Sequence, residues 1–82
     1  MIEFKSISCY FDAEKSGLKN NTIRKIDMKD GRFLQLLEMI RRNRYDLAQI
    51  RITRAELPND SFVRQIRHIT KWNDFLIITW RC

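Results

Sequence analysis

Apolar and polar positions partly alternate from the first residues of the chain. Ile2, Phe4 and Ile7 stand among Glu3 and Lys5, and the pattern predicts a short strand. Tyr10, Phe11, Asp12, Ala13, Glu14 and Lys15 then read as one or two helical turns stopped by Gly17 as a C-cap residue. β-Branched residues at positions 22, 23 and 26 predict a second strand over Thr22 to Ile26. Asp30 can cap a helix by accepting from the free backbone N–H groups of its first turn. Within that helix Phe33, Leu36, Leu37 and Ile40 recur at i, i+3, i+4 and i+7, the spacing of one buried face. From residue 47 the period changes to two: Ala48, Ile50 and Ile52 face inward while Gln49, Arg51 and Thr53 face out.

Pro58, Asn59 and Asp60 predict a turn. In the segment Ser61 to Ile69, the spacing of Phe62, Val63, Ile66 and Ile69 fits a helix as well as a strand. A strand is preferred because β-branched residues are frequent and hairpin partners of matched length flank it. Trp72, Asn73 and Asp74 then make a tight connection to a last strand, Phe75 to Arg81. The chain has no internal repeat or Pro/Gly/Ser-rich linker, so residues 1–82 form one domain. The expected class is α+β: one short and one longer helix with about five strands, the last three an antiparallel meander. A sheet this short hides its edges best by curling into a small β-barrel. Phe33, Leu37, Ile40, Ile50, Ile52 and Ile78 are its expected core.

At 82 residues the chain buries only about 60% of the surface that it exposes unfolded, too little for a large enzyme with a deep cleft. Its hydrophobic share of 44% suffices for one core and argues against disorder. Sixteen Lys and Arg against ten Asp and Glu leave a formal charge of +6. That field attracts phosphate backbones, anionic lipids or an acidic protein face, without choosing among them. The chain opens MIEFKS with no apolar leader, and the apolar run Phe75 to Trp80 is too short to span a bilayer. A cytoplasmic protein with no membrane partner follows, with Cys9 and Cys82 as free thiols; a disulfide joining them is the alternative. One histidine, His68, and two distant cysteines give no metal-ligand spacing, and no cofactor is called for.

The stretch SGLKNNTIR carries the candidate chemistry. Gly17 permits a sharp turn, Thr22 and Arg24 project to one face of a strand, and Lys19 can fold back over that face. Ammonium, hydroxyl and guanidinium would then converge on a region suited to a phosphate or a base edge. An ordinary solvated turn with two basic residues is the competing reading. Arg51, Arg64, Arg67 and Arg81 fall on neighbouring strands and would form a nucleic-acid contact if register gives them a common face. Arg41, Arg42 and Arg44 are explained by the negative end of the helix dipole. Trp72 and Trp80 read as core, with stacking on bases as the alternative, His68 as a surface or half-buried strand residue, and Cys9 as a small apolar filler.

YFDAEKSGLKNNTIR resembles the signature of ASCH-type domains of the PUA-like superfamily, where a short helix ends at a glycine followed by a lysine and a T-x-R strand start. It also resembles small phage proteins of this type, as does the tail ITKWNDFLIITW. The resemblance implies a small curled β-barrel with peripheral helices and a cleft that binds RNA or modified nucleosides beside Lys19, Thr22 and Arg24. Some members deacylate an acylated cytidine with that lysine and threonine and a later glutamate. Here only Glu38 and Glu56 follow the loop, and neither sits in a family motif. Three functions remain: a binding module for RNA or a nucleotide, a phage protein that blocks a host protein such as a nuclease or defence factor in the host cytoplasm, and a minimal amidohydrolase. Binding to nucleic acid would weaken steeply with salt, because each neutralised phosphate releases counterions.

Overall fold

The computed structural model describes residues 1–45 and 48–81. Its elements run β1 (Ile2–Ser6), α1 (Ser8–Ser16), β2 (Asn21–Lys25), α2 (Gly31–Arg42), β3 (Gln49–Arg54), β4 (Leu57–Trp72) and β5 (Phe75–Trp80). The strands form one sheet in the order β1-β3-β4-β5-β2. β1 runs parallel to β3, and every other neighbouring pair is antiparallel. The class is therefore α+β, with the expected meander over β3, β4 and β5. β1 and β2 are the two edges and no ladder joins them among the described residues, so the sheet is not a closed barrel.

The caps act where the pattern put them. Gly17 ends α1 in a left-handed conformation, φ 91°, and the Lys19 N–H bonds back to the Ala13 carbonyl at 3.0 Å. Asp30 starts α2 by accepting from the Arg32 N–H at 3.0 Å. At the far end Arg41 and Arg42 both donate to Glu38, whose carboxyl is held down to about 2 by those bonds. Ile7 lies outside β1, exposed, and its carbonyl accepts the Phe11 N–H of α1.

β4 bends the sheet. At 16 residues it pairs with β3 through its first part and β5 through its second, and its register shifts between Ile66 and His68. An extra residue there tightens the local twist and curls the sheet round one face. The reversal into β4 falls at Ala55 and Glu56, not at Pro58–Asp60 as the sequence suggested. Leu57 already pairs with Arg54 and Ser61 with Thr53, so Pro58, Asn59 and Asp60 form an irregularity inside the strand, where a missing N–H breaks no ladder bond. Thr53 lies on the outward side of β3 with Arg51, as expected, but is buried there, its hydroxyl donating to Glu3 Oε1 at 3.0 Å.

Both helices cover the same face. Phe11 of α1 meets Phe62 at 5.3 Å between ring centroids, Phe33 of α2 meets Phe4 edge-on at 5.7 Å, and Phe62 reaches Trp80 at 6.2 Å. Phe33, Ile50, Ile52 and Ile78 are buried as expected, whereas Leu37 and Ile40 are half-buried because Phe33 and Leu36 take the innermost stripe of α2. Trp80 is core, but Trp72, at the end of β4, is 61% exposed. Cys9 is exposed rather than a filler; Cys82 lies outside the described residues, and so does the disulfide alternative. No helix of the described residues is long and apolar enough to cross a membrane.

Candidate functional site

Alternation along β2 sends Thr22 and Arg24 toward the core side, in register with the buried Ile78 and Leu76, and Ile23 and Lys25 toward the opposite face. Arg24 then reaches across the gap to the other edge of the sheet. Its Nε donates to Thr22 Oγ1 at 2.9 Å, Nη1 to the Lys5 carbonyl at 2.8 Å and Nη2 to Ser6 Oγ at 2.9 Å. The guanidinium stands 4.9 Å from the Phe4 ring centroid. Arg32 takes a matching place 4.3 Å from the same centroid and donates to the Glu3 carbonyl at 2.6 Å. Burial lowers the pKa of Arg24, the charge of Glu14 opposes this, and Arg32 adds to it. A guanidinium keeps its proton throughout.

The loop after Gly17 folds Lys19 back over α1. Lys19 Nζ donates to Glu14 Oε2 at 3.1 Å and lies 5.3 Å from the Tyr10 ring centroid. Glu14 is 1% exposed, and its Oε1 has no hydrogen-bond partner among the described residues. A buried acceptor left without a donor costs about 1–3 kcal/mol, and more when charged, so it marks a place that a ligand can complete.

These groups line one cleft of about 500 Å³ between α1 and the gap separating β1 from β2. Glu14, Lys19, Thr22, Arg24 and Ser6 supply its polar wall; Tyr10, Ile7 and Ile23, all more than half exposed, supply its rim, and Lys5 stands at its mouth. The convergence of Lys19, Thr22 and Arg24 expected from their spacing is present. Glu14, Ser6 and Tyr10 were not read from the sequence. The available signal was that Glu14 follows Phe11 by three residues, which puts a carboxylate on the buried stripe of α1.

By inventory the wall offers one acceptor among many donors. Arg24 keeps two N–H groups beyond the three it uses, Lys19 keeps two, and the Thr22 and Ser6 hydroxyls, each accepting from Arg24, can still donate. Neither later glutamate joins the cleft: Glu38 is held by Arg41 and Arg42, and Glu56 accepts from the Ser8 hydroxyl. The four meander arginines do not share a face. Arg51 is exposed opposite Val63, whereas Arg64, next along β4, turns inward over the Phe62 ring and donates to the Lys15 carbonyl at the end of α1. Arg67 is exposed at the β4 bulge, and Arg81 is exposed just beyond β5. No protein-family model matches the chain, and no curated protein is significantly similar to it.

Proposed function

We propose that the cleft binds the base of a nucleotide, in keeping with the ASCH-like G-x-K-x-x-T-x-R spacing of its loop. The observation that carries this reading is the buried, unpartnered Oε1 of Glu14 beside a row of donors. An exocyclic amino group can donate to that oxygen while ring acceptors next to it receive Lys19, Thr22 or Arg24. Cytosine and adenine have such an edge, and a carboxylate accepting from the cytosine amino group is a known recognition pair. Tyr10 gives the ring an aromatic wall, and Lys5, without an ion pair among the described residues, is placed to meet a phosphate.

Calorimetric titration with the four nucleoside monophosphates tests the reading. CMP or AMP should bind more tightly than UMP, which lacks the amino group. Glu14→Gln should weaken the favoured nucleotide by about tenfold or more, the scale of a hydrogen bond to a charged group. Equal affinity for CMP, AMP and UMP, unmoved by Glu14→Gln, would reject it.

The amidohydrolase reading gains one observation, since Glu14, Lys19 and Thr22 line the same cleft. The hydroxyl, however, lacks a base: the hydrogen bond of Thr22 Oγ1 among the described residues is the one that it accepts from Arg24. A nucleophile of this kind needs a proton acceptor within hydrogen-bond reach. Incubation with N4-acylated cytidine followed by chromatography should therefore show no deacylation, and turnover that vanishes in Lys19→Ala would establish the enzyme instead.

A further inference from the structure

The outer face of β2, β5 and β4 is uncovered, and its composition is unlike that of an ordinary solvated sheet. Two cross-strand rows lie there in register: Ile23–Ile77–Thr70, and Lys25–Phe75–Trp72. Ile23 is 56% and Trp72 61% exposed. The Trp72 and Phe75 rings lie 6.4 Å apart at 30°, close to parallel, so they present one aromatic surface at the end of the β4–β5 hairpin. Neither row holds a carboxylate. Lys25 has no ion pair among the described residues, in a chain of net charge +6.

This face is continuous with the cleft, because β2 is a wall of both. Thr22 and Arg24 point into the cleft, while Ile23 lines its rim and also begins the outer row. Strand spacing makes the three-strand platform about 10 Å wide, and each two-residue step along it adds about 7 Å. That is room for bases following one held in the cleft. Aromatic surfaces accept any base by its π-face, and a flanking lysine meets the backbone between them.

We infer that the ligand is a single-stranded nucleic acid rather than a free nucleotide: one base enters the cleft, and neighbouring bases cross Ile23 and Ile77 to stack on Trp72 and Phe75. The inference rests on the nucleotide reading of the cleft but stands on different residues. It supplies the common surface that the meander arginines do not.

The test compares hexamers of cytidine and adenosine, each as RNA and as DNA, with CMP and AMP. Trp80 is buried, so quenching of tryptophan emission reports on Trp72. By calorimetric titration, which reads every variant, the hexamers should bind about tenfold or more tightly than the mononucleotides, and with Trp72 present they should quench the emission. Trp72→Ala should cost the hexamers about tenfold, with Trp72→Phe restoring most of it, and should leave the mononucleotides unchanged. Lys25→Ala should reduce the salt slope of hexamer binding by about one. A preference for RNA over DNA would separate the two sources. Hexamers no tighter than mononucleotides, or indifferent to Trp72→Ala, would overturn the inference even if Glu14→Gln weakens CMP. Hexamers weakened by Trp72→Ala but not by Glu14→Gln would uphold the platform and remove the cleft reading. Self-association through this face without quenching would also overturn the inference.

Discussion

An Arg24→Ala protein is expected to lose about 2–4 kcal/mol of stability and most of the binding in the cleft. Three hydrogen bonds go at once. The Thr22 hydroxyl, 2% exposed, and the Ser6 hydroxyl, 6% exposed, lose the donor that each accepts from. The Lys5 carbonyl loses the guanidinium donor that reaches it from across the gap. Bonds from a charged donor contribute about 1.5–3 kcal/mol each, but the desolvation of a half-buried guanidinium offsets part of their sum. For a domain whose whole stability is on the order of 5–15 kcal/mol, the loss is large. Arg24→Lys should keep the charge and recover little, because an ammonium cannot reach three acceptors in a planar fork. Arg42→Ala removes the same charge from an exposed pair with Glu38 and should change little in either respect. Urea denaturation and nucleotide titration at fixed salt separate these cases; equal losses for Arg24→Ala and Arg42→Ala would reduce Arg24 to its net charge.

The second large effect is expected at Phe11, where alanine should cost about 3–5 kcal/mol and leave the domain partly unfolded. The ring is fully buried against Phe62, with the Arg54 guanidinium 4.5 Å and the Lys15 ammonium 5.8 Å from its centroid. It is the apolar anchor of a nine-residue helix that has no side-chain N-cap. Tyr10 and Glu14 ride on the same helix, so nucleotide binding should fall together with the melting temperature. Phe11→Leu, which preserves more of the volume, should retain both in larger part. A Phe11→Ala protein that melts like the wild type would show that α1 is held by something other than this ring.

Periodicity made most of the elements legible because it reports which side of a segment meets the core. Gly17 and Asp30 could be read as helix ends from their own chemistry, and Ile50 and Ile52 from strict alternation. What periodicity does not report is which strands become neighbours. The gap between β1 and β2 depends on the curl imposed by β4, whose length was concealed by Pro58 and by a register shift that spoils the alternation near Ile66. Trp72 has the apolar character of a core residue, yet the turn at Asn73 and Asp74 leaves it past the end of the core. In the site, Lys19, Thr22 and Arg24 were legible because they lie within one short loop and strand. Glu14 looked like one more charge on a solvated helix. Its burial depends on Lys19 folding back, and the partners of Arg24 lie 18 and 19 residues away in β1.

The carbonyls of Glu3 and Lys5 point from the free edge of β1, and each is occupied by an arginine that comes later in the chain, Arg32 and Arg24 respectively. A vacant edge of this kind is a template on which an extended segment of another molecule can add itself as a strand. Here the vacancy is filled by side chains that carry charge and stand stacked on Phe4, so a newcomer would have to displace two guanidiniums to dock. The guard belongs to the folded state alone, since it exists only while β2 and the start of α2 are packed against β1. Local opening of either element would expose the edge even with the rest of the sheet intact.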